Sequence, residues 1–371
     1  MTEPADRPVP VITICDADPM LRLAAIALRG ARGDDDRWLT RYFSPEPVDV
    51  SAVEGIGPRH GLAGVEVRAL STAEEPRLAE LSAGSDILIC RRAAIGTAEL
   101  AASPALRRVV RLGSDATGLD LAAIRTAGAD VICMERPSLA YTAEHAVLLM
   151  LAAAKNLVQS DALARDARWD RNRVFPIDGV AYNWPGLSGL GGLFNAKIGM
   201  IGMGQVGLLV AERLRPFGAR LLYAKRHRLP AAQEAQYGLE FTTRDDLLAR
   251  SDIVSLHARW TPETEGMMNA AAFARMKRGA IFINTSRGFL VDEAALADAL
   301  TSGQLGFAAL DTHAPEPRAA TSPLNQAPNT IFTPHVAGGS RGVLVKEIDD
   351  LVKQVGAVFS DAEADDEEDR N

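Results

Sequence analysis

The sequence predicts an α/β protein in two units, each a parallel sheet with helices on its faces, on three observations. Short apolar runs alternate with amphipathic stretches through almost the whole chain, as strands and covering helices of such a sheet require. At 371 residues there is enough chain for two domains with real cores. A second alternating series starts afresh at Lys197, after a long stretch rich in Gly, Pro and aromatic residues.

In the first series VPVITIC (9–15), SDILIC (85–90), RRVVRLG (107–113) and ADVICM (129–134) read as buried strands. LAELSAG, AELAAS and LDLAAIRTAG lie between them as helices or helix starts. Pro137 precedes a long helix, predicted over 141–168, with Thr142 and Glu144 in its first turn. Its apolar run, 146–154, is nine residues long between His145 and Lys155, whereas a membrane span needs about 20, so it reads as a buried helix. VFPIDGVAYNWPGLSGLGGL (174–193) reads as a loop, either covering a pocket through Tyr182 and Trp184 or contacting a second subunit. KIGMI, RLLYA, DIVSLH, AIFIN, FAALD and TIFTPH then follow as strands. After His335 the chain is free to return to the first unit.

Forty Lys+Arg against 48 Asp+Glu give a formal charge of -8 and a pI near 5.4. That argues against a nucleic-acid binder held by phosphate neutralisation. The argument is weak, because residues 361–370 alone supply -6 and leave -2 for residues 1–360. MTEPADRPVP has no basic head followed by an apolar stretch, so no signal peptide is expected. Cys15, Cys90 and Cys133 are scattered in or beside apolar runs, which excludes a disulfide framework and a zinc site and suits core thiols in a reducing compartment. The expectation is a cytoplasmic protein with no metal and no membrane or nucleic-acid partner.

Strand 197–201 runs straight into Gly202-Met203-Gly204-Gln205-Val206-Gly207, then into an apolar helix to Arg215 that Pro216 and Gly218 end. GxGxxG alone says little in a chain with 31 glycines, but this strand–turn–helix setting marks a dinucleotide-binding unit. Gly202 makes the tight turn, Gly204 admits a pyrophosphate, and Gly207 permits close packing. Gln205 and Val206 open the helix whose free N–H groups face the phosphates. An NAD site places an Asp or Glu about 20 residues on, at the ribose 2′-hydroxyl. None occurs between Arg213 and Gln233; the next strand ends instead in Lys225-Arg226-His227-Arg228. Lys225 and Arg226 suit the 2′-phosphate of NADP, so NADP is the expected cofactor and NAD the alternative.

Residues 279–339 read GAIFINTSRGFLVDEAALADALTSGQLGFAALDTHAPEP, then SPLNQAPNTIFTPHVAGG. With IGMIGMGQVG and SLHARWTPET upstream, the chain resembles the D-isomer-specific 2-hydroxyacid dehydrogenases, which include glyoxylate/hydroxypyruvate reductases and phosphoglycerate dehydrogenase. A looser match, RLGSDATGLDLAAIRTAGADV and AEHAVLLMLA, extends it upstream. The resemblance implies a Rossmann NAD(P)-binding domain at 137–337 and a flavodoxin-like α/β substrate domain from 1–136 and 338–360, with a cleft between them. It also implies a homodimer through the nucleotide-binding half. Residues 361–371, almost wholly charged, are expected to be a disordered acidic tail.

The resemblance further implies that Arg287 of TSRG holds the substrate carboxylate and carbonyl oxygen, and that Glu316 pairs with His335, the acid/base. Independent chemistry agrees: reducing a 2-keto acid needs a hydride, a proton for the developing alkoxide and a cation for the carboxylate. A histidine supplies a proton near neutral pH, and arginine grips a carboxylate through two parallel N–H bonds. Thr285 is a cofactor-site candidate, and by resemblance Asp311 accepts from the nicotinamide carboxamide. His257, at a strand end, is open between cofactor contact and packing. His145 and His313 read as structural, and His60 and His227 as solvated.

One departure concerns the family's G-x-G loop beside the substrate, which here reads Gly113-Ser114-Asp115. Gly113 and Ser114 remain substrate-site candidates, but Asp115 would repel a substrate carboxylate unless it points away or meets a cation. Arg91 or Arg92, after the strand 85–90, is a candidate for that cation, with a surface position as the alternative. The expected activity is interconversion of a 2-keto acid and a D-2-hydroxy acid, NADPH preferred. The alternatives are a dinucleotide-sensing regulatory protein of the same fold and a dehydrogenase of another small anion such as phosphite.

Overall fold

A computed structural model describes residues 9–31, 50–166, 179–338 and 342–368. The chain divides into two compact units, Met1–Ser138 with Ser340–Asn371, and Leu139–Gly339.

The first unit holds a five-stranded parallel sheet: β1 (Val11–Ile14), β2 (Glu66–Ala69), β3 (Ile87–Cys90), β4 (Arg108–Leu112) and β5 (Asp130–Met134). Its order, β2-β1-β3-β4-β5, is the flavodoxin-like doubly wound arrangement. Alternate residues serve opposite faces, as a period of two dictates: Ile87 and Ile89 join one core, Leu88 and Cys90 the other. The first core is completed by Ile348, Leu351, Val352, Val355 and Val358 from the closing helix Gly342–Glu368. That helix lies so close to His60 that a Cβ on Gly356 would sit 2.5 Å from the His60 carbonyl oxygen. His60 is not merely solvated: it pairs with Asp349 of the same helix at 3.1 Å. The helix also runs through Glu368, into the stretch expected to be disordered, where Ala and Glu sustain helical backbone; residues 369–371 lie outside the described residues.

The second unit holds seven parallel strands: β6 (Lys197–Ile201), β7 (Arg220–Ala224), β8 (Leu239–Phe241), β9 (Ile253–Leu256), β10 (Ala280–Asn284), β11 (Leu305–Leu310) and β12 (Thr330–Phe332). Their order, β12-β11-β10-β9-β6-β7-β8, is the Rossmann arrangement with one added edge strand, and it reverses direction between β6 and β9. Ligands of doubly wound sheets bind outside the carboxyl ends of the strands at such a reversal. Gly199 keeps the helix Arg244–Arg250 close beneath β6, since a Cβ there would lie 2.4 Å from Leu247 Cδ2.

Two strands are not visible as apolar runs. β2 (EVRA) and β8 (LEF) are sheet edges with little buried surface, so nothing requires them to be continuously apolar. The helix expected over 141–168 is broken into Leu139–Ala154 and Leu157–Arg165, bent by 55°. Asn156 sits at the break with φ +47°, a left-handed conformation that Asn tolerates better than most residues. Burial changes there too: Ala143, Ala146, Leu149 and Met150 lie in the core, whereas Leu157–Arg165 buries no residue. Residues 167–178 of the expected helix end and loop are outside the described residues.

Candidate active site

The second unit's predicted residues stand on turns at the carboxyl ends of its strands. Gly202 ends β6 at φ +89°, and a Cβ there would lie 2.7 Å from His257 C and Ala258 N, on the turn after β9. Only glycine fits that turn. Gly204 caps the helix Gln205–Leu214, and a Cβ on it would meet nothing within 4 Å. Gly207 instead packs against its own loop, its Cβ position 3.0 Å from the Gly202 oxygen. One glycine therefore allows the turn, one opens space above the helix start that contains Gln205 and Val206, and one seats the helix.

Three polar atoms around this reversal are buried without a hydrogen-bond partner among the described residues: His257 Nδ1, Thr285 Oγ1 and Thr312 Oγ1. They follow β9, β10 and β11, three neighbouring strands. Orphaned buried donors and acceptors at strand ends, beside a glycine-opened helix start, fit a polar, phosphate-bearing dinucleotide. His257 Nε2 meets Ser255 Oγ at 2.9 Å, and burial pushes its pKa down to about 4, so the ring is neutral at pH 7. The basic turn after β7 divides in two. Lys225 and Arg226 are exposed and make no side-chain hydrogen bond among the described residues, whereas Arg228 is bound to Glu234.

Arg287, Glu316 and His335 come from three segments that the fold ties together locally. Asn284, fully buried at the end of β10, accepts from Ser286 N–H (2.9 Å) and donates through Nδ2 to the Arg287 oxygen (3.0 Å). It shapes the turn that carries Arg287, whose guanidinium is exposed and donates to the Ser286 carbonyl. Gly288 presses on the next segment so closely that a Cβ would fall 2.0 Å from His313 C. Glu316 accepts the His313 N–H at 3.0 Å through Oε1 and meets His335 Nδ1 at 2.7 Å through Oε2. Burial alone would raise the Glu316 pKa; the hydrogen bonds from His335 and the His313 N–H, with the charges of both rings, outweigh it and hold the carboxyl below its ordinary value. An ionised carboxylate is acceptor-only, so His335 carries its proton on Nδ1 and leaves Nε2 to exchange one with a ligand.

Asp311 is fully buried at the end of β11. The carboxylate that the resemblance offers to a nicotinamide already accepts from Thr333 Oγ1 (2.5 Å), Val336 N–H (2.9 Å) and Ala337 N–H (2.9 Å). Its structural work is to hold the 333–337 turn. His145 joins this network, its Nε2 3.0 Å from Thr333 Oγ1. Sequence reasoning missed Asn284 and Thr333; the available signal was a polar residue ending, or just beyond, an otherwise apolar strand. His313 is structural as expected, Nε2 on the Thr333 oxygen at 3.0 Å, but its Nδ1 is another orphan.

In the first unit, Asp16 after β1 fills the turn after β3, accepting the N–H groups of Arg91 (2.5 Å), Arg92 (3.0 Å) and Ala93 (2.8 Å). The Arg91 guanidinium is ion-paired with buried Asp18 and is not a free surface cation. Gly113 ends β4 at φ +150° and Ser114 is exposed. Asp115 turns back on its own loop, accepting Thr117 N–H at 3.0 Å.

Comparison with known proteins identifies the family. The pattern of the D-isomer specific 2-hydroxyacid dehydrogenase NAD-binding domain matches residues 147–337. The chain is 37% identical over 277 residues to D-3-phosphoglycerate dehydrogenase of Mycobacterium bovis, covering 74% of this chain and 49% of that one. It spans about half the length of the mycobacterial relatives it matches. With the glyoxylate reductase/hydroxypyruvate reductase of Homo sapiens it shares 30% identity over 302 residues, 81% of each chain. The solved structure of a formate dehydrogenase from Granulicella superposes with a TM-score of 0.54 at 26% identity, over 95% of both chains. The glycine turn, the Arg287 turn and the Glu316–His335 pair thus stand within a matched domain and a shared fold, and the chain belongs to the D-isomer specific 2-hydroxyacid dehydrogenase family.

Proposed function

We propose that the protein interconverts a 2-keto acid and a D-2-hydroxy acid with NADP(H) as preferred cofactor. The observation that carries this is the 2.7 Å contact between His335 Nδ1 and Glu316 Oε2, which fixes a proton donor with its second nitrogen open. Held by Glu316, the His335 ring delivers its Nε2 proton to the oxygen of a carbonyl under reduction and takes it back in the reverse direction. Arg287, with no carboxylate paired to it among the described residues, supplies the two-pronged cation for the substrate carboxylate. A bound nicotinamide supplies or accepts the hydride at the carbonyl carbon. Gly202, Gly204 and Gly207, with the helix start at Gln205 and Val206, would hold its pyrophosphate, and Thr285 and His257 line the turns beyond.

Lys225 and Arg226 support the NADP assignment, being exposed cations at the end of β7 where an NAD site carries an acid. A homodimer is supported by exposed apolar side chains on the second unit: Leu148, Leu157, Val158, Tyr182 and Phe194.

The test is a panel of 2-keto acids assayed with NADPH and NADH in parallel. Loss of reduced-cofactor absorbance with a 2-keto acid, faster with NADPH, is expected. No turnover on any member refutes the activity, and equal or faster turnover with NADH refutes the cofactor assignment. Replacing Lys225 and Arg226 by Glu should move preference toward NADH.

A further inference from the structure

The turn after β7 is clamped at its far end by a buried carboxylate. Glu234, in the first turn of the helix Ala231–Tyr237, is almost fully buried. It takes Arg228 in a two-pronged pair, Nε on Oε1 at 2.9 Å and a terminal nitrogen on Oε2 at 2.8 Å. Tyr223, fully buried on β7, donates its hydroxyl to Glu234 Oε1 at 2.6 Å and accepts Leu229 N–H at 2.8 Å. Phe241 of β8 backs both, its ring 5.3 Å from that of Tyr223 and 5.6 Å from the Arg228 guanidinium.

The near end of the turn is fixed as well, because the Ala224 oxygen accepts Gly202 N–H at 2.9 Å, inside the glycine turn itself. Lys225, Arg226 and His227 therefore form a three-residue span with both ends pinned. Of the four basic side chains, Arg228 holds the turn, while Lys225 and Arg226 make no side-chain hydrogen bond among the described residues, Glu263 lying within electrostatic reach of Arg226. Arg228 also neutralises Glu234, the acid nearest in sequence to the turn, so that it does not repel a phosphate.

We propose that Glu234 is a positioning residue for recognition of a phosphorylated ribose. Through Arg228 and Tyr223 it holds the 225–227 span in the shape that presents Lys225 and Arg226 to a 2′-phosphate. This rests on the NADP reading above.

The test is isothermal calorimetry on the full chain with two fragments, adenosine 2′,5′-bisphosphate and AMP, which differ only by the phosphate in question. Wild type should bind the bisphosphate at least tenfold more tightly than AMP. Glu234→Gln keeps the shape but loses the charge-assisted fork, and should weaken the bisphosphate about tenfold while AMP stays within twofold. Arg228→Lys, an exposed change that keeps the charge without the fork, should fall between. Unchanged bisphosphate affinity in both variants overturns the proposal, as does an equal loss for both ligands, which marks a merely structural clamp. A wild type that binds AMP as tightly as the bisphosphate overturns the NADP reading itself, and this proposal with it.

Discussion

Asp311 and His335 are joined through the backbone: the Asp311 carbonyl accepts the His335 N–H at 2.8 Å, while the Asp311 carboxylate takes the two N–H groups that follow, at Val336 and Ala337. His335 meanwhile stands at φ +55°, a left-handed conformation of the kind that costs a non-glycine residue about 1–3 kcal/mol. The buried carboxylate thus holds the acid/base candidate in a conformation its own backbone disfavours.

Asp311→Ala leaves two buried or part-buried N–H groups and the Thr333 hydroxyl without their acceptor. At about 1–3 kcal/mol per unsatisfied group, a loss of at least ~3 kcal/mol is expected in urea unfolding. Asp311→Asn retains one acceptor oxygen and should lose less. Equal stability of Asp311→Ala and wild type would show that the turn stands without it.

For the chemistry, His335→Ala should lower kcat by about 10²–10⁴-fold, the usual worth of a positioned acid/base, with cofactor affinity nearly unchanged. Arg287→Lys keeps the charge and loses the fork, so KM for the keto acid should rise at least ~10-fold. Steady-state kinetics beside cofactor titration separates the two effects; full activity in His335→Ala would sink the mechanism.

The glycines make opposite predictions. A Cβ on Gly288 would fall 2.0 Å from His313 C, so Gly288→Ala must displace backbone and should lower Tm markedly. A Cβ on Gly204 meets only open space, so Gly204→Ala should melt near wild type yet bind dinucleotide more weakly. Thermal melts with and without NADPH would read both; equal melts for the two variants would contradict the packing.

His257 makes a pH prediction. Its pKa is about 4 in the folded chain against an ordinary 6.5, so the unfolded chain binds this proton more readily. Stability from this residue is therefore complete above about pH 6.5 and lost as pH falls toward about 4. His257→Asn should flatten that part of the profile. Parallel decline of variant and wild type between pH 6.5 and 4 would place the loss elsewhere.

The sheet's interior strands and the glycine turn were readable because burial on both faces demands apolar runs, and a phosphate turn demands glycine at fixed spacing. The edges β2 and β8 meet neither demand. Arg287, Glu316 and His335 were legible through the family resemblance of the motifs that carry them, with which keto-acid chemistry agrees. What lay beyond reading was partnership: Asp311, Thr333 and His145 meet only because β11, the β12 end and the Leu139–Ala154 helix fold together, His145 and Thr333 being 188 positions apart. Likewise Glu234 lies one residue past the interval in which no acid occurs, and only the fold shows that it answers Arg228 rather than a ribose.

The first unit is built from both ends of the chain, and this imposes an order on its birth. A ribosome releases the strands of the first sheet early, yet Ile348, Leu351, Val352, Val355 and Val358, which close one of its two cores, emerge only after about 200 residues of the second unit. Throughout that interval the nascent first sheet has only Leu21, Leu23, Ile26 and Leu28 of the helix Pro19–Arg29, with Val53 and Ile56, to cover that face, and the part the closing helix takes stays open, while the unit between can already close on itself. The part made first is the part finished last, and it is there that a nascent chain would most need shelter.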